Sequence, residues 1–363
     1  MAEITLEHVR KQFADFTAVR DSSFTVGDRE FFVLLGPSGC GKTTTLRMIA
    51  GLELPSSGRV LLDGEDVTSK RASQRDIGFV FQLFALYPHM NVRANIAFPL
   101  KCQNVPRHEI ERRVTDVAKL LQIEALLDRP VSGLSSGDSQ RVSLGRAVVR
   151  EAKAFMMDEP LGALDAEFRH LMCVELRALH DRIGSTTVYV THDQVEAMAM
   201  ADRIAVMNHG VVEQIAPPQE IYDRPLTMHV AGFIGSPAMN FLRFTAAVRS
   251  GAREVALNGD PIAVPALHED VPEGELALGV RPEHVRIVEE GGVRGAVFGT
   301  EYMGTLQIVT IDTRHGQVEA RVPSTVHVRP GDAVGLRFRE ERLVLFDTVS
   351  GRALQSALFD RAA

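Results

Sequence analysis

The sequence predicts an α/β domain followed by a small all-β domain. A glycine-rich loop near residue 40 stands between a buried-strand pattern and a helical pattern, and strand-like runs then alternate with helical patterns. Beyond "AGFIGSPAMNFL" the chain changes to short alternating segments broken by glycine and proline, which is typical of a small barrel. We therefore expect domains at 1–236 and 237–363, with a helical subdomain at about 95–155.

Composition restricts the class of protein. The 363 residues are 45% hydrophobic, enough for more than one buried core, and the net charge of -7 argues against broad nucleic-acid binding. No uncharged apolar run approaches the roughly 20 residues that span a bilayer, and the charged opening lacks a signal-peptide pattern. Cys40, Cys102 and Cys173 are few and widely spaced, so we expect a soluble chain in a reducing compartment.

The glycine-rich loop has the spacing of a phosphate-binding loop. It follows the strand-like run Glu30–Leu35 and precedes the helical pattern "TTTLRMIA", which ends at the capping residue Gly51. The pattern from Gly36 to Thr43 is G-x-x-x-x-G-K-T, in which backbone amides and the start of a helix face a phosphate. The predicted nucleotide-binding residues are Gly36, Pro37, Ser38, Gly39, Cys40, Gly41, Lys42, Thr43 and Thr44.

Two carboxylates follow the strand-like run at 154–157. Because ligands bind beyond the carboxyl ends of parallel strands, Asp158 and Glu159 are expected in the same crevice as the glycine loop. Asp158 and Thr43 would then hold Mg²⁺, and Lys42 would reach the β- and γ-phosphates. Glu159 would polarise the water that attacks the γ-phosphate.

A third strand-like run ends at Thr191, where His192 is placed to contact the γ-phosphate. Thr191 and Gln194 have the spacing of a capping box, which predicts a helix starting there. The stretch at 134–150 places small residues before another helical pattern, and so offers a second helix N-terminus that favours an anion.

Several motifs occur together in one order. They are "GPSGCGKT", "FQLFALYPHM", "LSSGDSQRVSLGRA", "FMMDEP", "GALD" and "VTHDQVEAM". With these motifs the chain resembles the ATP-binding subunits of ABC transporters. The resemblance covers nearly the whole chain and is greatest to the carbohydrate-uptake importers, among which the maltose-importer ATPase subunit is the best-known member. It implies a P-loop NTPase cassette, with a mixed sheet and a helical subdomain, followed by a barrel of oligonucleotide/oligosaccharide-binding (OB) type.

The resemblance also implies roles for individual residues. Gln82 matches a glutamine that contacts Mg²⁺ and the attacking water, and His192 matches the family's switch histidine. Phe13 matches an aromatic residue that stacks on adenine, although Phe16 lies nearby. Asp165 matches an aspartate that links the two sites of a dimer.

The signature residues meet the ATP held by the opposite subunit in this family. Here they are Ser135, Ser136, Gly137 and Asp138, whereas the usual pattern is LSGGQ. Ser136 lacks the freedom of glycine at positive φ. A carboxylate of Asp138 ~5 Å from the γ-phosphate would cost about 3 kcal/mol at an effective dielectric of ~20. We therefore expect Asp138 to turn away and act as a first-turn helix acid, and hydrolysis to be slow or a different cassette to be the partner.

The implied activity is hydrolysis of MgATP by the motor subunit of an importer, at the cytoplasmic face of the membrane. The implied partners are a second copy or another cassette, two transmembrane permeases and, indirectly, a solute-binding protein, without nucleic acid. The expected cargo is a sugar or sugar-like solute, with polyamine, sulfate or iron as alternatives. A soluble ABC ATPase acting in DNA repair or on ribosomes, and a nucleotide-gated binding module without turnover, remain the other hypotheses.

Overall fold

A computed structural model describes residues 2–150, 152–162 and 164–360, which form two compact units. The units are Met1–Pro218 and Gln219–Ala363, so the division lies earlier than the boundary expected near Pro237. Hydrogen bonds explain the difference. The guanidinium group of Arg281 donates to the backbone carbonyls of Tyr222 and Ala231, at 2.9 and 3.1 Å, and so ties residues 219–236 to the second unit.

The first unit alternates strands and helices, as the sequence predicts. Its elements in chain order are β1 (Ile4–Phe13), β2 (Phe16–Val26), β3 (Phe31–Leu35), α1 (Lys42–Ala50), β4 (Ser57–Leu62), β5 (Glu65–Asp66), β6 (Ile77–Val80), α2 (Val92–Cys102), α3 (Arg107–Leu120), α4 (Ser136–Val148), β7 (Ala154–Asp158), α5 (Ala166–Ile183), β8 (Thr186–Thr191), α6 (Gln194–Met200), β9 (Arg203–Asn208) and β10 (Val211–Ala216).

Ten strands of the described residues form one sheet, in the order β5-β4-β1-β2-β10-β9-β3-β8-β7-β6. The half that contains β3, β6, β7 and β8 is parallel, whereas β1, β2, β4 and β5 pair antiparallel. The prediction of a mixed sheet is therefore confirmed. β3 and β8 are buried along their whole length, which accounts for their continuous apolar and β-branched sequences.

The buried core of this unit joins the sheet to the helix after the glycine loop. Leu46 and Ile49 of α1 belong to the same buried cluster as Phe32 and Leu34 of β3 and Val188 of β8. Gly51 ends α1 with φ of 73°, the left-handed cap that the sequence predicts. The glycine loop is therefore held between a fully buried strand and a helix whose inner face is buried.

The second unit is built mainly of antiparallel strands. Two short helices, α7 (Pro218–Asp223), which begins at the last residue of the first unit, and α8 (Met228–Phe233), precede them. The strands are β11 (Asn240–Val248), β12 (Glu254–Leu257), β13 (Asp260–Ala263), β14 (Val271–Val280), β15 (Val285–Val288), β16 (Val293–Tyr302), β17 (Leu306–Thr313), β18 (Gly316–Pro323), β19 (Ala333–Phe338) and β20 (Val344–Asp347).

These strands form sheets in the orders β11-β14-β20, β12-β13 and β15-β19-β16-β17-β18. Residues from them make one hydrophobic cluster, including Leu242, Leu278, Val309 and Leu336. The prediction of an all-β second domain is confirmed for the part of this unit after α8, where the long elements are strands. Throughout the described ranges, no helix combines the length and the apolar character needed to cross a bilayer.

Candidate functional site

The glycine loop makes close backbone contacts that exclude other residues. Gly41 is the N-terminal cap of α1 with φ of 105°, and a Cβ there would lie 2.4 Å from the carbonyl oxygen of Ala18. A Cβ on Gly36 would lie 2.2 Å from the carbonyl oxygen of Met207. Glycine at these two positions therefore lets the loop turn tightly into the N-terminus of α1, the geometry of a phosphate-binding turn.

Lys42 buries its ammonium group inside this loop. Nζ donates to the carbonyl oxygens of Gly36 and Pro37, at 2.8 and 2.9 Å, and the residue is 4% exposed. These acceptors carry no formal charge, and in the described ranges no carboxylate forms a salt bridge with Lys42. A buried cation without a contacting anion is suited to receive a phosphate.

The rest of the loop lies in the same turn. Ser38, Gly39 and Cys40 precede the cap of α1, and Thr44 lies in the first turn of that helix. The Cys40 sulfur is 3.9 Å from Nζ of Lys42, and burial raises the pKa of the Cys40 thiol. The sequence-predicted loop residues thus form one continuous turn into α1, and the Lys42 ammonium group is hydrogen-bonded inside that turn.

Thr43 and Asp158 meet where α1 approaches the end of β7. The Thr43 hydroxyl donates to Oδ1 of Asp158 at 2.8 Å, and Arg47 Nη2 lies 4.0 Å from Oδ2. Asp158 is buried, and this desolvation raises the pKa of its carboxyl group. The structure therefore brings together two of the three residues expected to bind a metal.

This pair of oxygen ligands fits Mg²⁺. Mg²⁺ binds proteins through one or two oxygen ligands together with substrate phosphates and water. Asp158 offers a carboxylate whose nearest cationic group is 4.0 Å away, and Thr43 offers a hydroxyl beside it. Gln82, the third residue expected at the metal, instead contacts Glu159.

Glu159 lies at the centre of the other predicted groups. Its Oε2 accepts a hydrogen bond from Gln82 Nε2 at 3.2 Å and lies 3.4 Å from His192 Nδ1. Its backbone N–H donates to the carbonyl of Val190 in β8 at 3.0 Å. Glu159 has φ of 42°, a left-handed conformation that residues other than glycine rarely adopt. Backbone strain of this kind is concentrated at functional sites.

The loop after Gln82 is held by α4, a contact that the sequence analysis did not identify. Ser143 Oγ and Arg146 Nη2 both donate to the carbonyl of Phe84 at 2.9 Å, and Arg146 Nη1 donates to the carbonyl of Ala85 at 2.6 Å. Phe84 and Ala85 both have positive φ. These bonds stabilise an unfavourable turn. Phenylalanine and alanine do not predict positive φ angles, so the sequence gives no sign of this turn or of its contact with α4.

The helix after His192 begins differently from the expected capping box. Asp193 is the cap of α6, and its carboxylate accepts from the backbone N–H groups of Val195 and Glu196. Thr191 instead donates its hydroxyl to Glu196 at 2.7 Å and accepts from the N–H of Asp193. The expected capping box of Thr191 and Gln194 is therefore wrong, because α6 begins two residues later, with Asp193 as its cap, and the Thr191 hydroxyl donates to the Glu196 carboxylate instead.

The signature residues form the start of α4. Ser135 is its cap, and its hydroxyl accepts from the N–H of Asp138 at 3.1 Å and donates to the Asp138 carboxylate at 2.8 Å. Asp138 lies in the first turn, as expected. Ser136 is the first helical residue and does not have positive φ, so the expected conformational cost of replacing glycine there is absent. Gly137 is buried in the same turn.

Two further predicted residues lie at the surface. Phe13 ends β1 and pairs across the turn with Phe16, and the two are 43% and 58% exposed. Lys11 places its ammonium group 4.7 Å from the centre of the Phe13 ring. Asp165 is exposed and caps α5, where its carboxylate accepts from the backbone N–H of Phe168 at 2.9 Å.

Three family profiles match the chain. The family described as ABC transporter matches residues 19–162, which include the glycine loop and both carboxylates. The family described as the MalK OB fold domain matches residues 235–285, and the TOBE domain matches residues 278–346. The last two matches cover most of the strands of the second unit, in agreement with an OB-type barrel there.

Full-length relatives are ATP-binding proteins of importers. The trehalose import ATP-binding protein SugC of Mycobacterium tuberculosis is 46% identical over 98% of each chain. The sn-glycerol-3-phosphate import ATP-binding protein UgpC of Paracoccus denitrificans is 45% identical over 98% of this chain and 100% of its own. The solved dimeric structure of MJ0796, a bacterial ABC transporter cassette, is 30% identical, with a TM-score of 0.54 over 59% of this chain and 98% of that one.

Asp158 is expected to oppose folding of the free chain. Because burial raises its pKa above the unfolded value, ionisation of the carboxyl group destabilises the fold at neutral pH, and this cost is lost as the pH falls. Asp158→Asn keeps an acceptor for Thr43 and should raise the unfolding midpoint at pH 7 by about 2 °C.

Thermal unfolding followed by circular dichroism checks this expectation. The gain of the variant should vanish near pH 4, where the carboxyl group of the unfolded chain titrates. Glu124→Gln, on an exposed residue, serves as the matched control and should leave the midpoint unchanged. A lower midpoint for Asp158→Asn at pH 7 would contradict the argument.

Proposed function

This chain belongs to the ATP-binding subunits of the ABC transporter family, and on that basis we propose that it is the ATP-hydrolysing motor subunit of an importer. One observation carries the proposal. Four groups meet where the parallel strands end: the ammonium group of Lys42, the hydroxyl of Thr43, and the carboxylates of Asp158 and Glu159. These are the groups that positioning and charge stabilisation of a phosphoryl transfer require.

The triphosphate of ATP would bind over the glycine loop. Lys42 would exchange its carbonyl acceptors for phosphate oxygens, which compensates the buried charge. Thr43 and Asp158 would hold Mg²⁺, which when bound neutralises charge on the phosphates. Phe13, or its exposed neighbour Phe16, would stack on the adenine ring.

Hydrolysis requires a base for the attacking water. Glu159 would be this base, because its Oε2 accepts a hydrogen bond from one group that would orient the water and lies 3.4 Å from another that would contact the γ-phosphate. Those groups are Gln82 and His192. His192 is 54% exposed at its side chain, so it is accessible to a nucleotide that enters from solvent.

We propose that each nucleotide lies between two cassettes related by twofold symmetry, in a homodimer or with a different cassette. Ser135, Ser136, Gly137 and Asp138 of one subunit would then face the ATP held by the other, and Asp165 would link the two sites. The dimeric structure of the similar cassette MJ0796 supports this arrangement.

We propose that the subunit works at the cytoplasmic face of the membrane with two permeases, and with a solute-binding protein indirectly. The exposed apolar residue Leu83, which is 82% exposed beside Gln82, supports a contact of this loop with a partner. A sugar or sugar-like cargo is supported by relatives whose names specify import of trehalose and of sn-glycerol-3-phosphate.

Glu159→Gln tests the enzymatic part of the proposal. The amide cannot accept the proton of the attacking water, so phosphate release should fall by at least about 100-fold while MgATP still binds. Size-exclusion chromatography should then show a dimer trapped by ATP and not by ADP. Equal and slow phosphate release in both forms would instead support a binding module without turnover.

Altering the signature turn tests the consequence of its unusual residues. Ser136→Gly with Asp138→Gln removes the carboxylate that accepts from Ser135, so the serine hydroxyl becomes available and repulsion of a phosphate is lost. We expect the steady-state ATPase rate to rise by about fivefold or more. Ser136→Gly alone should change it little, because Ser136 is already helical. An unchanged rate in the double variant would show that Asp138 is harmless.

Co-purification distinguishes the importer from a soluble ABC ATPase that acts in DNA repair or on ribosomes. Extraction of the native complex in detergent should recover permeases with the chain. Co-sedimentation with ribosomes or DNA, without permeases, would overturn the importer assignment.

A further inference from the structure

We propose that Phe168 and Arg169, consecutive residues in the first turn of α5, are positioning residues that link the signature turn to the segment carrying His192. The inference rests on the proposed function, because the signature turn would act on the nucleotide of a second subunit. It concerns two contacts that consecutive residues of one helical turn make with different segments.

The first contact joins α5 to the signature turn. Gly137 lies against the ring of Phe168 so closely that a Cβ on this glycine would be 2.3 Å from Cε1 of the ring. The position of the ring therefore limits where the backbone of Gly137 can lie. Ser135, which caps the same helix two residues earlier, must move with it.

Ionic contacts reinforce this packing. Arg141, one turn after Gly137 in α4, places its guanidinium carbon 5.9 Å from the centre of the Phe168 ring. Nη2 of the same guanidinium group donates to both carboxylate oxygens of Glu175 in α5, at 3.0 and 3.2 Å. This charge-assisted contact holds α4 against α5 beside the aromatic contact.

The second contact joins α5 to the segment after β8. Arg169 Nη1 donates to the carboxylate of Asp193 at 3.1 Å, and its Nε lies 3.7 Å from the buried carboxylate of Glu196. Asp193 directly follows His192 and caps α6. Arg169 Nη2 also donates to the carbonyl of Leu164 at 2.9 Å, which holds the guanidinium against the start of its own helix.

These contacts share a short, capped turn. Asp165 accepts from the N–H of Phe168, so the residue expected to link the sites of a dimer also fixes the residue that packs on Gly137. A displacement of His192 by a γ-phosphate is passed through Asp193 and Arg169 to this turn. It then reaches Gly137 through Phe168, and so changes the position of the turn that meets the partner's nucleotide.

The test measures energetic coupling in the full-length chain. Phe168→Ala should lower kcat for ATP hydrolysis by about tenfold, while the dissociation constant for a fluorescent ATP analogue stays within about twofold. The loss should not multiply with that of Ser135→Ala, because both act through the signature turn. Arg169→Gln should likewise fail to multiply with His192→Ala.

Two variants serve as controls. Phe168→Leu retains an apolar side chain against Gly137 and should recover most of the activity, and it remains informative if Phe168→Ala unfolds. Glu167→Gln changes an exposed residue of the same turn and should keep kcat within about twofold.

Two results would overturn the link: losses that multiply in both pairs, or weakening of nucleotide binding as large as the fall in kcat. Absence of any ATP hydrolysis by the unsubstituted chain is a different result, because it would remove the proposed function itself and the link with it.

Discussion

The register of the parallel strands β3, β7 and β8 is the constraint on which the site depends. Leu35 pairs with Thr191, and Asp158 pairs with Val190, so the three strands end at one level of the sheet. The candidate functional residues lie at or directly after these strand ends, and Glu159 directly follows β7. Since side chains alternate along a strand, a shift of one residue in β7 would turn Asp158 away from Thr43.

The same edge of the sheet holds charges that the free chain does not balance. Lys42 is buried among neutral carbonyl oxygens, and Asp158 is buried with its nearest cation 4.0 Å away. Glu159 adds a left-handed backbone conformation. Each of these features is unfavourable alone, but a bound nucleotide with its cation would compensate the two charges together. This explains why a site so costly to the free fold is suited to binding.

Helices α4 and α5 carry the contacts between the signature turn and the segments around that site. The signature turn lies at the start of α4, where Ser135 donates a hydrogen bond to the carboxylate of Asp138. Further along the same helix, Ser143 donates to the loop after Gln82. The first turn of α5 packs on α4 through Phe168. The segments that we propose to contact nucleotide are therefore joined within this unit by hydrogen bonds and close packing.

The sequence alone determined the features that are local in the chain. The glycine loop around Lys42, the strand patterns and the acidic strand end follow from residue type and spacing over a few positions, so they could be predicted. The helix cap at Asp193 was missed because Thr191 and Asp193 are both of residue types that cap helices, and only the folded chain shows at which of them the helix begins. The contacts of Ser143 with the loop after Gln82, and of Phe168 with Gly137, join residues far apart in sequence, and only close packing in the folded chain brings them together.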